Sequence, residues 1–218
     1  MLKLGEKGAI PQKDNETYAI APHIPCGVVT PELLRRIADT AEKYNAKIIK
    51  ITGATRIALI GLEEKNIDSA WLDLGLDKGA AVGLCVRSIR TCPGVSFCKL
   101  GKQDSLSIGM ELDKKYHGFE LPGKFKMAVS GCHLSCAESW VRDIGLIGKK
   151  DGWTLTIGGN IGVTPRIGNE LADGLDDMAS LKAVDKVVTY YKQYAQKGER
   201  LGKMIDRLGL ESFKAVVN

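Results

Sequence analysis

Two pairs of cysteines constrain this chain more than any other feature of its sequence. Cys92 and Cys98 are separated by five residues, Cys132 and Cys136 by three, and 33 residues lie between the pairs. Four thiolates are the ligand set that a [4Fe–4S] cube requires. Structural zinc sites prefer two to four residues within each pair, which the second pair satisfies and the first does not. The spacing favours an iron–sulfur site and leaves zinc, or four unrelated buried cysteines, as alternatives.

The bulk composition excludes several classes of protein. The 218 residues are 44% apolar and 26% charged, which is typical of a globular protein with its own core. The net charge of +5 is spread along the chain, without the basic runs or aromatic–basic interleaving of nucleic-acid-binding proteins. No apolar stretch approaches the roughly 20 residues that span a bilayer, and the N-terminus lacks a signal-peptide pattern. We therefore expect a cytoplasmic protein without disulfides, and no nucleic acid or membrane as partner.

Strand and helix patterns alternate irregularly along the chain, which favours an α+β class with a mixed sheet. The sequence predicts a helix start at residues 30–32: Thr30 is the N-cap, Pro31 lies at the first helical position and Glu32 places an acid in the first turn. Residues 1–16 are polar and resemble a loose lead-in. Strands are predicted at 18–24, 46–52, 56–62, 82–91, 126–130, 144–147 and 153–157. Helices are predicted at 31–41, 63–74, 103–116, 137–143 and 180–196, followed by two short helices.

Several motifs in a fixed order resemble the sirohaem-dependent sulfite and nitrite reductase family. The cysteines lie in Arg87–Cys92, at Cys98 and in Val129–Cys136, which together resemble the family signature. Further matching segments are Gly27–Pro31, Ile49–Gly53, Ile144–Gly148 and Ile157–Asn160. The match runs from about residue 18 to about residue 172, and ordered motifs are far more specific than one alone. The size and single motif set are most similar to the small assimilatory-type members of anaerobic sulfate reducers, which implies a single half unit of the family's fold.

The resemblance implies the cofactors and the residues that bind them. Cys92, Cys98, Cys132 and Cys136 would hold a [4Fe–4S] cluster, and Cys136 would also bridge to the sirohaem iron. Sirohaem carries many carboxylates, so its pocket needs cations and amides. The other residues implied to contact it are Lys50, Thr52, Arg56, Arg90, Gly159 and Asn160. Cys26 and Cys85 lie outside the motif and are predicted to be core residues.

Three cations are implied to bind the substrate anion and to move protons. Arg87 matches an active-site arginine of the family, and Lys124 and Lys126 match its Lys-x-Lys pair. Alternation places both lysines on one strand face, where they can converge on one anion. The alternative is a solvated strand edge. A guanidinium binds an oxyanion bidentately, and a lysine adds a mobile proton.

The chain departs from the larger family members, which contain two related halves around the cofactor. It has one set of motifs, and Ala54 occupies the position of another active-site arginine, for which Arg56 would have to compensate. Two copies that pair about a two-fold axis as a homodimer would restore the missing half. The chain has no flavin or nicotinamide motif, so electrons would come from an external donor such as a ferredoxin or cytochrome.

These observations predict an enzyme that reduces sulfite to sulfide at a sirohaem coupled to a [4Fe–4S] cluster. The predicted organisation is a sirohaem-contacting subdomain (1–70), a sirohaem and [4Fe–4S] domain (71–179) and a C-terminal helical extension (180–218). Nitrite is the alternative substrate, because it is also a small oxyanion. Two alternatives come from other classes: a non-catalytic electron-transfer protein with the same cofactors, and a structural zinc protein.

Overall fold

The first of two compact units, Met1–Gly83, is a four-stranded antiparallel sheet that packs against two helices. The structure, a computed structural model, describes residues 1–217. The strands of this unit lie in the order β1-β2-β4-β3 and are β1 (Ala9–Pro11), β2 (Thr17–Ile20), β3 (Ile48–Ile51) and β4 (Ile57–Glu63). The helices are α1 (Pro31–Lys43) and α2 (Ile67–Leu74). Their buried faces share one core with the strands, centred on Tyr18, Leu59 and Trp71.

Two features of this unit follow directly from its sequence. The Thr30 hydroxyl accepts a hydrogen bond from the Leu33 N–H at 3.2 Å, so the predicted N-cap of α1 is confirmed. Strand β3 forms an edge of the sheet and all of its residues are exposed. Ile49 is 50% exposed and Ile51 is 74% exposed. This edge therefore presents an apolar surface interrupted by a single cation, Lys50.

The second unit begins at Leu84 and contains a mixed five-stranded sheet. Its strands lie in chain order and are β5 (Val86–Thr91), β6 (Phe125–Ser130), β7 (Ile144–Lys149), β8 (Gly152–Ile157) and β9 (Asn169–Leu175). Strands β5, β6 and β7 are parallel, whereas β8 and β9 are antiparallel to their neighbours. The helices are α3 (Ser105–Tyr116), α4 (Asp177–Tyr194), α5 (Leu201–Leu208) and α6 (Leu210–Val217). The predicted α+β class and mixed sheet are confirmed.

Helix α4 covers the sheet where strand β6 begins. The rings of Phe125 on β6 and Tyr191 on α4 are fully buried, and their centroids lie 5.1 Å apart. Val187 and Val184 are buried one and two turns before Tyr191. Because successive strand residues point to opposite faces, burial of Phe125 directs the flanking Lys124 and Lys126 to the other face of the sheet.

The predicted loose lead-in over residues 1–16 is wrong. Strand β1 pairs with β2, and the Leu2 N–H donates to the Tyr18 hydroxyl at 2.9 Å, so these residues belong to the first sheet. Strand β9 was also not predicted. No helix within residues 1–217 is both long enough and apolar enough to cross a bilayer.

Candidate cluster and anion site

The four motif cysteines lie in two loops beside the five-stranded sheet. Cys92 directly follows β5, and Cys132 lies two residues beyond the end of β6. The two strands are adjacent and parallel, so the loops that leave them emerge at the same edge of the sheet. Cys98 and Cys136 lie further along these two loops. The topology therefore brings both cysteine pairs to one edge.

Gly131 joins the two cysteine loops. Its carbonyl accepts hydrogen bonds from the N–H groups of Lys102 and Gln103, at 2.7 and 3.1 Å. Its own N–H donates to the Cys92 Sγ atom at 3.1 Å. A Cβ at this position would lie 2.8 Å from the Gly94 Cα atom, so a larger residue would force the loops apart. A backbone N–H aimed at a cysteine sulfur is the type of hydrogen bond that tunes an iron–sulfur cluster.

The four motif cysteines offer four free thiols from two loops, with Cys132 buried and Cys136 exposed. Four thiolates, one at each iron corner, are the ligand set of a [4Fe–4S] cube. The five residues between Cys92 and Cys98 exceed the spacing that structural zinc sites prefer. The donor set therefore fits a [4Fe–4S] cluster better than zinc.

Two arginines converge beside Cys136, on the carboxylate of Glu138. Arg90 Nη1 lies 2.6 Å from Glu138 Oε2, and Arg142 Nη2 donates to the same oxygen. The Nε atoms of both arginines are buried, and neither has a hydrogen-bond partner among the described residues. An unsatisfied buried donor costs about 1–3 kcal/mol, so an acceptor is expected there. The carboxylates of sirohaem have the required chemistry.

Lys124 and Lys126 lie at the start of β6 within a group of cations. Burial, with repulsion from Lys124, Arg142 and Arg200, lowers the pKa of Lys126 to about 8. Burial and repulsion from Arg87 lower the pKa of Lys124 as well. The three predicted substrate-binding cations therefore lie close enough to interact electrostatically. A lysine with a pKa near 8 is charged enough to bind an anion and acidic enough to donate a proton.

Asp143 and Arg200 belong to this group, although neither was predicted from the sequence. Asp143 precedes β7 and is 0% exposed. Its two carboxylate oxygens accept hydrogen bonds from Arg200 Nε at 2.9 Å and Nη2 at 2.7 Å. The backbone N–H of Lys126 donates to Asp143 Oδ2 at 2.8 Å, and Arg200 Nη1 donates to Asn160 Oδ1 at 3.1 Å. Asn160 and Lys126, which the sequence predicted as site residues, are therefore linked through Asp143 and Arg200, which belong to none of the sequence motifs.

Predicted Gly159 is a packing residue beside the arginines. A Cβ there would lie 2.4 Å from the Trp140 carbonyl oxygen and 2.7 Å from the backbone nitrogen of Arg142. Only a glycine lets the segment after β8 approach the segment that carries Arg142 so closely. Its contribution to a cofactor site would therefore be to position that arginine.

The predicted residues of the first unit differ in accessibility. Lys50 is exposed on β3, whereas Arg56 is only 4% exposed. The Thr52 hydroxyl accepts hydrogen bonds from the N–H groups of Ala54 and Arg56, at 3.3 and 3.2 Å, and so closes the turn after β3. Lys50, between exposed isoleucines, fits an apolar macrocycle with carboxylate arms. The buried Arg56 fits that role less well.

Two family profiles together match most of the chain. Residues 82–218 match the profile described as "Nitrite and sulphite reductase 4Fe-4S domain", and residues 10–76 match "Nitrite/Sulfite reductase ferredoxin-like half domain". The assimilatory-type sulfite reductase of Nitratidesulfovibrio vulgaris is 42% identical over 211 residues, which is 97% of each chain. The NAD(P)H nitrite reductase of Bacillus subtilis is 39% identical over 207 residues, which is 95% of this chain but 26% of that protein.

Solved structures of similar fold include two reductase-related proteins. Dissimilatory sulfite reductase I superposes with a TM-score of 0.81 at 14% identity, over 92% of this chain and 69% of that one. The NirA protein of Mycobacterium tuberculosis also gives 0.81, at 20% identity, over 95% of this chain and 42% of that one. At these identities the likeness establishes the fold alone.

Proposed function

Because this chain belongs to the nitrite and sulfite reductase family, we propose that it reduces sulfite to sulfide. The cofactors of the family are those that the sequence predicted, a [4Fe–4S] cluster and sirohaem. The observation that carries the proposal is that two free-thiol loops meet at one edge of a sheet that also carries a group of partly buried cations at the start of β6.

We assign the cluster to Cys92, Cys98, Cys132 and Cys136, with Cys136 also bridging to the sirohaem iron. The exposed thiol of Cys136 supports the second role, because it can reach a group outside the loops. When bound, the two cofactors would supply the electrons and an iron that coordinates the oxyanion. The hydrogen bond from the Gly131 N–H to Cys92 Sγ would hold that sulfur in place as a cluster ligand.

Arg87, Lys124 and Lys126 would bind the anion and deliver protons. Sulfur passes from oxidation state +4 in sulfite to −2 in sulfide, and three oxygens leave as water, so the reaction consumes protons as well as electrons. Lys126, with its pKa near 8, holds a proton at neutral pH and releases it readily. The planar guanidinium of Arg87 would fix the orientation of the anion.

The remaining predicted residues are proposed to bind the sirohaem carboxylates. The structural observations that support this role differ from residue to residue. Arg90 has a buried Nε without a partner among the described residues, and Lys50 is exposed on an apolar strand. Asn160 is tied to Arg200, and Arg56 is buried. Thr52 and Gly159 would act by fixing the backbone near the cofactor.

An external electron donor, such as a ferredoxin or cytochrome, and a homodimer complete the proposal. The dimer is proposed because the chain carries one set of the family's motifs and because the profile that its N-terminal residues match is described as a half domain. A second copy could supply the basic residues that a single half lacks. Light scattering on the cofactor-loaded protein tests this part, and a monomer at all concentrations would reject the dimer.

The activity is tested by anaerobic turnover with a strong chemical reductant. Sulfide release from sulfite, lost in Lys126→Met and retained in Lys197→Met on an exposed turn, is the expected result. Nitrite is the second candidate substrate, since nitrite reductases are among the relatives. A higher kcat/KM for nitrite than for sulfite would favour it. A coloured protein that reduces neither anion would favour an electron-transfer role.

A further inference from the structure

We propose that Asp143 and Arg200 are positioning residues that together hold Lys126 in place toward the substrate anion, and that the Asp143 carboxylate favours the charged form of this lysine. This inference deepens the reductase function proposed above and rests on it. It assigns a role to a residue in the C-terminal part of the chain, where no motif was recognised.

The geometry ties three separate segments to one carboxylate. Both oxygens of the fully buried Asp143 accept hydrogen bonds from Arg200, at 2.9 and 2.7 Å, in a bidentate ion pair. Oδ2 also accepts the backbone N–H of Lys126, at 2.8 Å. The start of β6, the start of β7 and the segment before α5 are therefore fixed to one another. Lys126 lies at the point where they meet.

The Asp143 carboxylate opposes the repulsion that the neighbouring cations exert on Lys126. Lys124 from β6, Arg142 from the segment before β7 and Arg200 from the segment before α5 all disfavour the Lys126 ammonium, and Asp143 opposes them. Further charged or titratable groups act on the members of this cluster: Arg87 on Lys124, Tyr191 of α4 on Asp143, and Arg90 and Glu138 on Arg142. Loss of the Asp143 charge would leave the cations uncompensated, and Lys126 would release its proton at lower pH.

A purely structural ion pair is the competing explanation, and it predicts a different outcome. Such a pair would close the C-terminal segment onto the sheet, and its loss would lower the amount of folded protein. If the pair has only this role, water screens its charges from Lys126, and the pH at which Lys126 loses its proton does not move. A positioning role predicts that this pH moves, and that it moves in opposite directions when the acid or the arginine is removed.

The test compares Asp143→Asn and Arg200→Gln with the unaltered protein, all loaded with cofactors. In Asp143→Asn the alkaline limb of kcat/KM for sulfite should move about one pH unit lower, because an acid that favours the ammonium is gone. In Arg200→Gln it should move to higher pH, because a repelling cation is gone. At pH 8, the charged fraction of Lys126 falls from about one half to about one tenth, so the KM for sulfite should rise about fivefold in Asp143→Asn, with kcat changed less than threefold. Arg200→Lys, which keeps the positive charge, should leave the limb near its original position.

A second readout does not depend on turnover. In the full-length chain labelled with ¹³C-lysine, the ε-carbon resonance that disappears in Lys126→Met reports the protonation of this residue directly. Opposite shifts of its midpoint in Asp143→Asn and Arg200→Gln support the inference even if neither sulfite nor nitrite is reduced, in which case only the proposed function fails. An unmoved midpoint in both variants, with melting curves that show folded protein, overturns it. If Asp143→Asn does not fold, the direction of the shift in Arg200→Gln decides.

Discussion

Lys126→Met is expected to stabilise the cofactor-free chain while it removes activity. The ordinary pKa of a lysine here is 10.5, and burial with repulsion from neighbouring cations lowers that of Lys126 to about 8. Each pKa unit corresponds to about 1.4 kcal/mol, so the unscreened upper bound on the penalty is about 3 kcal/mol. Lys126 is only partly buried, and screening by water reduces this to about 1–2 kcal/mol. Methionine keeps the apolar stem and removes the charge.

The sign of the pH dependence follows from the lowered pKa. Below pH 8 the folded chain carries the unfavourable ammonium, so the penalty is full. Between pH 8 and 10.5 the folded state releases the proton before the unfolded state does, and the penalty fades. The stability difference between Lys126→Met and the unaltered chain should therefore be largest at neutral pH and should shrink as pH approaches 10.5.

Thermal unfolding of the cofactor-free chain at pH 7 and pH 10 measures this difference. A gain of about 1–2 kcal/mol corresponds to a rise in Tm of about 2–8 °C for a chain of this length. Lys197→Met, on an exposed turn, is the matched control and should change stability by less than about 0.5 kcal/mol. A variant that is no more stable than the unaltered chain at pH 7, or whose gain persists unchanged at pH 10, would refute the electrostatic reasoning.

Three further substitutions test other parts of the account. Gly131→Ala places a Cβ 2.8 Å from the Gly94 Cα atom, so this variant should bind less cluster iron than the unaltered protein. Gly53→Ala is the control: its Cβ meets nothing within 4 Å, and its iron content should be unchanged. Equal iron contents in the two variants would contradict the close packing of the cysteine loops. Cys136→Ser should lose the sirohaem absorption because it removes the proposed bridge, and full sirohaem retention would argue against bridging. Thr30→Ala removes the N-cap acceptor of α1 and should lower the free energy of unfolding by about 1 kcal/mol in urea titrations; an unchanged midpoint would show that the cap contributes nothing.

Sequence patterns predicted the elements whose periodicity is local. Helix α1 and strands β7 and β8 were predictable, because a helix cap and a run of buried apolar residues are each encoded within a few residues. Strands β1 and β9 were not. Strand β1 has three residues and ends in a proline, and β9 contains Asn, Glu, Asp and Gly with no alternation. Both are edge strands that exist because a neighbouring strand pairs with them, which is tertiary information.

The residues of the candidate site also divide into those predicted from local sequence motifs and those that only the fold brings together. The cysteines were predicted from their spacing within two short segments, and the Lys-x-Lys pair was predicted from its resemblance to the family's motif. Asp143 and Arg200 lie 57 residues apart, and only the fold brings them together. A weak signal did exist, since an acid directly before the apolar run Ile144–Ile147 must be compensated if it is buried. The partner of that acid could not be read from the sequence.

Reduction of sulfite at a sirohaem coupled to a [4Fe–4S] cluster can be tested by an anaerobic absorption spectrum with iron and acid-labile sulfide analysis, followed by addition of sulfite under reduction. We expect a chlorin-like sirohaem spectrum, iron and sulfide in the ratio of one haem to one cube, a spectral change on sulfite addition and release of sulfide. A colourless protein that holds zinc on its cysteines would show that both the cofactors and the activity are wrongly assigned.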